Sequence, residues 1–179
     1  MDRVKNNTDW IEHTGNPVDW FEYIYSRRKS ELHDVKEKMD SVSKEQKEQI
    51  INKAEQIKTI RKRLHELFKA YSGVCKSCQT KCCDEFTPSL GDYVYYAIVG
   101  FELPSPTKMH QEFLNERGFG TCYFLSEDGC VLNENRPVRC LAAVCNRLPQ
   151  YLPKEVISEI NGLVVEFRKE DEYLGNICK

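Results

Sequence analysis

The sequence predicts a mainly α-helical fold with one small β-hairpin. Apolar side chains recur with a period of about 3.6 residues along residues 17–71 and again near the C-terminus. Between these stretches, two short apolar arms flank a Ser-Glu-Asp-Gly turn at residues 126–129, a pattern typical of a hairpin. All nine cysteines lie in the second part of the chain. We therefore divide the chain into a helical segment, residues 1–72, and a cysteine-rich segment, residues 73–179.

Capping residues and apolar stripes predict the first two helices. An Asn-Pro pair at residues 16–17 suits the start of a helix that should end near residue 40. Ser43 and Gln46 form a capping-box signature for a second helix, predicted over residues 44–71. Its apolar stripe consists of Ile50, Ala54, Ile57, Leu64, Phe68 and Tyr71. Because the break between the two helices is short, we expect an antiparallel helical hairpin that packs on the cysteine-rich segment.

Shorter elements are predicted after this hairpin. Ser89 and Asp92 resemble a capping box at the start of a tyrosine-rich helix, and Gly100 is placed to end it. Residues 107–117 are predicted to form another short helix.

The C-terminal part begins with the predicted β-hairpin, residues 120–132. A second turn then leads to a short helical segment, residues 138–145, opened by a proline. The last helix is predicted to start at Pro153, and the acidic run at residues 170–172 to end its apolar pattern.

Eight of the nine cysteines are candidate metal ligands. They are Cys75, Cys78, Cys82 and Cys83 in a first group, and Cys122, Cys130, Cys140 and Cys145 in a second. A C-x2-C pair in a tight turn presents two thiolates to one metal ion. A reducing compartment keeps thiols reduced, so this density favours a metal or cluster, with disulfides or buried thiols as the alternatives. Cys178 stands apart and is interpreted as an ordinary free thiol.

Several landmarks resemble the YkgJ-like cysteine-cluster family, the zinc- or iron-chelating CxxCxxCC domain. They are the first cysteine group, Cys122-Tyr-Phe-Leu, Gly129-Cys130, Arg136-Pro137 and Cys140-x4-Cys145. The resemblance spans residues 75–145 and implies a bound zinc ion or iron–sulfur cluster. It extends to the cysteine domain of flagellin lysine-N-methylases. The first group departs from the family pattern by one extra residue before its Cys-Cys pair, which leaves the ligands in that turn open.

The number and chemical type of the candidate ligands limit which kinds of metal site are possible. Eight thiolates exceed the four that a zinc ion or a [4Fe–4S] cluster takes, so either two centres exist or only four cysteines bind. An all-thiolate set suits an iron–sulfur cluster or structural zinc and argues against a hydrolytic zinc site. The irregular spacing favours iron–sulfur over zinc. Arg136 and Arg139 either offset thiolate charge or pair with nearby acidic residues.

Composition sets the cellular context. The formal net charge of −2 gives no reason to expect nucleic acid as a partner. The N-terminus lacks the apolar run of a secretory signal, and no apolar stretch reaches the length needed to span a bilayer. We therefore expect a cytoplasmic protein that does not bind a membrane.

Three functions fit these observations. The first is a cytoplasmic iron–sulfur or zinc protein whose centre serves electron transfer, sensing or structure. The second is an enzyme similar to an S-adenosylmethionine-dependent protein lysine methylase, although no Gly-rich loop for that cofactor follows a predicted strand. The third is a zinc-stabilised adaptor that binds a protein partner through the basic helical hairpin, residues 17–71. The sequence does not decide whether the protein is an enzyme.

Overall fold

The computed structural model describes residues 17–70, 88–105, 111–112, 116, 122–126, 129–142 and 150–177. The predictions for the first cysteine group, for Cys145 and Cys178, and for most of the helix at residues 107–117 lie outside these residues. They stay predictions.

The described residues are mainly helical, as the sequence predicts. The α-helices are α1 Pro17–Asp40, α2 Lys44–Ala70, α3 Leu90–Val99, α4 Val138–Ala142 and α5 Lys154–Ile177. Two short strands, β1 Leu125–Ser126 and β2 Gly129–Cys130, pair antiparallel, and a 3₁₀-helix covers Asn133–Asn135.

The bounds of α1 and α2 agree with the predicted ones to within a residue. The predicted capping box of α2 is also present. The Ser43 backbone N–H donates to Gln46 Oε1 at 3.3 Å, and the Gln46 N–H donates to Ser43 Oγ at 3.3 Å. Two of the donors that a helix start leaves without intrahelical partners are thereby satisfied.

The packing of these two helices differs from a closely paired hairpin. α1 makes its main contacts with α3, and α2 makes its main contacts with α5. α3 contacts α1, α2 and α5, and its Tyr93, Val94 and Tyr96 side chains are at most 6 % exposed. A helix that is apolar on most of its surface offers the two N-terminal helices more area to bury than they offer each other. Buried side chains before and after residue 72 thus belong to one hydrophobic core.

The short helix α3 begins and ends as predicted. Ser89 accepts a hydrogen bond from the Asp92 N–H at 2.9 Å, and the Asp92 carboxylate accepts one from the Ser89 N–H at 2.9 Å. At the other end Gly100 has φ 66°, a left-handed conformation that favours glycine.

Helices α3 and α5 approach each other closely at two glycines. A Cβ atom built on Gly91 would lie 2.1 Å from the backbone oxygen of Asp171. A Cβ atom on Gly175 would lie 3.3 Å from the backbone nitrogen of Gly91. The absence of a side chain at position 91 therefore sets the distance between these helices.

The predicted end of the last helix is wrong. α5 continues through the acidic run to Ile177, and Glu170 and Asp171 are buried. Lys53 on α2 pairs with Glu170 at 2.8 Å, and Ser89 donates to Asp171 at 2.7 Å. Partners on other helices thus let acidic residues occupy the buried face of α5.

The predicted β-hairpin is present as a short antiparallel pair. Leu125 pairs with Cys130 and Ser126 with Gly129, and the Val131 N–H donates to the Phe124 carbonyl at 2.9 Å. This register pairs the first and last residues of the predicted Ser-Glu-Asp-Gly turn.

The predicted second turn and short helix follow. The 3₁₀-helix forms the turn, and the Leu141 N–H donates to the Pro137 carbonyl at 3.0 Å. Cys130 and Cys140 therefore stand at either side of a compact connection.

None of the described helices combines the length and the apolar character needed to cross a membrane.

Candidate metal centre and its buried support

Cys130 lies at the end of β2, where the chain turns into the 3₁₀-helix. The backbone N–H groups of Leu132 and Asn133 favour the charged form of its thiol. Asn133 has φ 51°, a left-handed conformation that asparagine adopts more readily than most residues. Burial raises the pKa of Cys130 overall, and these two N–H groups and the charge of Arg136 offset part of that rise. The turn therefore supplies two N–H groups that favour the negative charge a sulfur would carry when it binds a metal.

Cys140 lies in α4 and interacts with Cys130. Burial, followed by the charges of Cys130 and Asp92, raises the pKa of Cys140 to about 12. Arg136 and Arg139 act in the opposite direction on the Cys140 pKa. A cation bound at these sulfurs would supply positive charge that favours two thiolates.

Cys122 occupies a different environment before β1. It is 8 % exposed, and its carbonyl accepts a hydrogen bond from the Leu125 N–H at 3.0 Å. The next residue, Tyr123, stacks on Tyr25 of α1 with ring centroids 5.6 Å apart. Cys122 is thus anchored between the hairpin and α1.

The contacts of Arg136 favour the first of its two predicted roles, which is to offset thiolate charge. Its charge lowers the pKa of both Cys130 and Cys140. Its guanidinium lies 5.6 Å from the ring centroid of Phe68, and its Nε donates to the Asn133 carbonyl at 3.0 Å. These contacts hold a positive charge beside the two cysteines.

The structure brings together part of the predicted ligand set. Cys130 and Cys140 interact, but the described ranges contain no group of three or more His, Cys, Asp or Glu residues that could hold a metal ion. Five predicted ligands lie outside those ranges: Cys75, Cys78, Cys82, Cys83 and Cys145.

A buried ion pair is hydrogen-bonded to the segment that joins the two cysteines. Arg61 of α2 and Asp92 of α3 are each 0 % exposed, and an Arg61 guanidinium nitrogen donates to Asp92 Oδ1. The Arg61 guanidinium carbon lies 4.3 Å from the ring centroid of Tyr95 and 4.7 Å from that of Phe167. Burial lowers the pKa of Arg61, but the charge of Asp92, the nearby Tyr96 and Tyr95 hydroxyls and the hydrogen bond to Asp92 together outweigh it and raise the pKa overall. Arg61 therefore remains charged inside the core.

The same network holds the backbone between the cysteines. Arg61 donates to the Arg136 carbonyl, and the Val138 N–H donates to the Asp92 carboxylate at 3.0 and 3.2 Å. Tyr96 Oη donates to the Asn135 carbonyl at 2.6 Å. Three consecutive parts of the segment from Asn135 to Val138 are thus bound to side chains of α2 and α3.

A second carboxylate extends the network to α5. Ser89 Oγ lies 2.7 Å from Asp171 Oδ1 and 3.1 Å from Asp92 Oδ2. One hydroxyl carries one proton and cannot donate to both carboxylates at once. Burial and then the charge of Asp92 raise the pKa of Asp171 to about 7, against the opposing effects of Ser89 and Arg61.

Asp171 should make stability depend on pH. The folded protein holds this proton more tightly than the unfolded chain, so its stabilising contribution is complete below about pH 4 and is lost as the pH rises through about 7. We expect Asp171→Asn, which mimics the protonated acid, to stabilise the protein at pH 8 by on the order of 3 kcal/mol and to change little at pH 4. Urea unfolding across this pH range measures the effect. The exposed neighbour change Glu172→Gln should leave the pH profile as it is, and identical profiles for both variants would contradict the assignment.

The sequence interpretation missed Arg61 and Asp171. Arg61 lies on the apolar stripe of α2 between Ile57 and Leu64. Its position on this stripe is the sequence signal that could have identified it as a buried charge. Asp171 lies four residues after Phe167, on the buried face of α5. In both cases a helix period places a charged residue on the core side, which requires a buried partner.

The donors present fit a thiolate-bound metal or cluster. Sulfur ligands with backbone N–H groups directed at them suit zinc or iron–sulfur centres. Outer hydrogen bonds that orient the ligands are also a regular part of metal sites. Among the described residues, Cys130 and Cys140 are the pair that would contribute to such a centre.

Comparisons with protein-family models, curated proteins and solved structures found no match to this chain.

Proposed function

We propose that this chain is a cytoplasmic metalloprotein that binds an iron–sulfur cluster, with zinc as the alternative metal, through cysteine thiolates. The observation that carries the proposal is the environment of Cys130, where two backbone N–H groups and the charge of Arg136 favour a thiolate that interacts with Cys140. When bound, the centre supplies electron transfer, sensing or a structural cross-link.

The charges around the two cysteines support this proposal. Bringing two thiolates together in a buried place is unfavourable unless positive charge compensates them. Arg136 and Arg139 supply part of that charge. A bound metal ion would supply the remainder, which would account for two half-buried thiols that interact with each other.

The rest of the ligand set comes from the sequence. Cys75, Cys78, Cys82, Cys83, Cys122 and Cys145 remain candidates beside Cys130 and Cys140. An all-sulfur set with irregular spacing favours iron–sulfur over zinc. A reducing compartment, the cytoplasm, keeps such thiols available.

Metal analysis with an absorption spectrum on anaerobically purified protein tests the proposal. We expect iron, acid-labile sulfide and a brown colour. A colourless protein that contains zinc and unfolds with a chelator would replace the cluster by the zinc alternative. Protein without metal, even after reconstitution with either metal under reducing conditions, would sink the proposal.

Cysteine variants identify the ligands. Cys130→Ser and Cys140→Ser are each expected to lower the metal content by more than half, because serine is a poor ligand for soft metals. Cys178→Ser is the matched control and should retain full metal content, since Cys178 stands apart from both groups. Equal metal content in all three variants would exclude Cys130 and Cys140 as ligands.

A further inference from the structure

We propose that Tyr96, Arg61 and Asp92 are positioning residues for the metal centre, which they serve by fixing the backbone that joins Cys130 to Cys140. This inference rests on the proposed function, because it concerns how the same site is held. None of the three side chains is a candidate ligand. Their contribution is made through main-chain groups of the segment from Asn135 to Val138.

The contacts follow the segment residue by residue. Tyr96 Oη donates to the carbonyl of Asn135 at 2.6 Å, and Arg61 donates to the carbonyl of Arg136. The Asp92 carboxylate accepts from the Val138 N–H at 3.0 Å. Two carbonyls and one N–H within four residues are therefore bound by side chains that are each 0 % exposed.

These side chains come from a rigid support. Asp92 and Tyr96 lie one helical turn apart on α3, and Arg61 projects from α2 onto both. Rings of Tyr95 and Phe167 flank the guanidinium, which leaves it little freedom to move. A thiolate site loses affinity when its ligands are held loosely, because binding must then order them. Because the backbone between the two cysteines is already held in place, metal binding has to order less of the chain.

Tyr93 provides the comparison that separates positioning from general stability. It also lies on α3, is 6 % exposed and donates through its hydroxyl to a carboxylate, that of Glu31 on α1. Its partner belongs to α1, whereas the Tyr96 hydroxyl binds the cysteine segment itself. Tyr93→Phe and Tyr96→Phe each remove one buried hydroxyl from the same helix, so their costs to folding are comparable.

The experiment measures how fast the centre is lost. Wild type, Tyr96→Phe and Tyr93→Phe are loaded with their metal and mixed with excess chelator well below the unfolding temperature. Bleaching of the visible absorbance follows an iron–sulfur cluster, and a zinc indicator follows zinc. Circular dichroism checks that helix content is unchanged. We expect Tyr96→Phe to lose its metal about 2- to 10-fold faster than wild type, the effect of one hydrogen bond, and Tyr93→Phe to match wild type.

Each outcome has a separate meaning. Equal rates of metal loss for the two variants, whether both slow or both fast, would overturn the positioning role while leaving metal binding intact. Absence of metal from the wild-type protein would instead refute the proposed function itself. Faster loss in Tyr96→Phe alone, at unchanged helix content, supports the inference.

Discussion

Replacing Arg61 with methionine is expected to lower the free energy of unfolding by about 3–5 kcal/mol. The change leaves the Asp92 carboxylate buried without its cation and frees the Arg136 carbonyl of its donor. Methionine fills much of the space between the Tyr95 and Phe167 rings, so the loss reports the missing charge and hydrogen bonds more than a cavity. Denaturant unfolding at neutral pH measures it.

Arg63→Met is the matched control for this change. Arg63 is two residues further along the same helix, and its ion pair with Glu159 lies at the surface, with side chains 48 % and 38 % exposed. An exposed pair of this kind contributes little to stability, so we expect almost no change. Arg61→Lys should recover only part of the loss, because an ammonium group lacks the planar fork that reaches two acceptors. Similar losses for Arg61→Met and Arg63→Met would show that the buried pair is not what stabilises the core.

Replacing Gly91 with alanine is expected to destabilise the protein by at least about 3 kcal/mol. The new Cβ would lie 2.1 Å from the backbone oxygen of Asp171 and 2.5 Å from one of its carboxylate oxygens. Backbone cannot move aside as a flexible side chain can, so α3 and α5 must separate. That movement also disturbs the hydrogen bond between Ser89 and Asp171.

Gly162→Ala is expected to have the opposite effect on stability. Gly162 is exposed in the middle of α5, and a Cβ there meets nothing within 4 Å among the described residues. Alanine is favoured over glycine inside a helix, so this change should stabilise the protein by about 0.5–1 kcal/mol. Thermal or denaturant unfolding of both variants makes the comparison. A Gly91→Ala protein as stable as wild type would mean that the two helices do not approach as closely as described.

Local sequence signals predicted the helices well. Ser43 with Gln46, Ser89 with Asp92, and Gly100 each mark a helix end where the structure has one. These signals work because a cap is satisfied within a few residues and needs no information from the rest of the chain. The register of the short hairpin follows for the same reason.

Features that depend on distant partners were harder to predict. The acidic run at residues 170–172 indicated a helix end, because the pattern of one helix does not reveal that Lys53 and Ser89 lie opposite. The helical hairpin was a reasonable interpretation of two adjacent stripes, but α3 offers α1 a larger apolar surface. Whether a charged residue can occupy a buried helix face depends on its tertiary contacts.

The candidate site shows the same division. Spacing alone singled out Cys130 and Cys140 among the eight possible ligands, and in the structure the charge of Cys130 raises the pKa of Cys140. Spacing could not identify Arg61, Asp92 and Tyr96 as their support, because these residues act through backbone groups 39 to 75 positions away in sequence. The contribution of the first cysteine group stays a prediction.

The hydrogen bond from the Val138 N–H to Asp92 also bears on how the protein opens. A surface segment between a turn and a short helix ordinarily unfolds locally at small free-energy cost, independently of the core. Here such an opening would leave the Asp92 carboxylate short of a donor and remove an acceptor from Arg61, both at the centre of the fold. We therefore expect the segment to open together with α2 and α3 and not on its own.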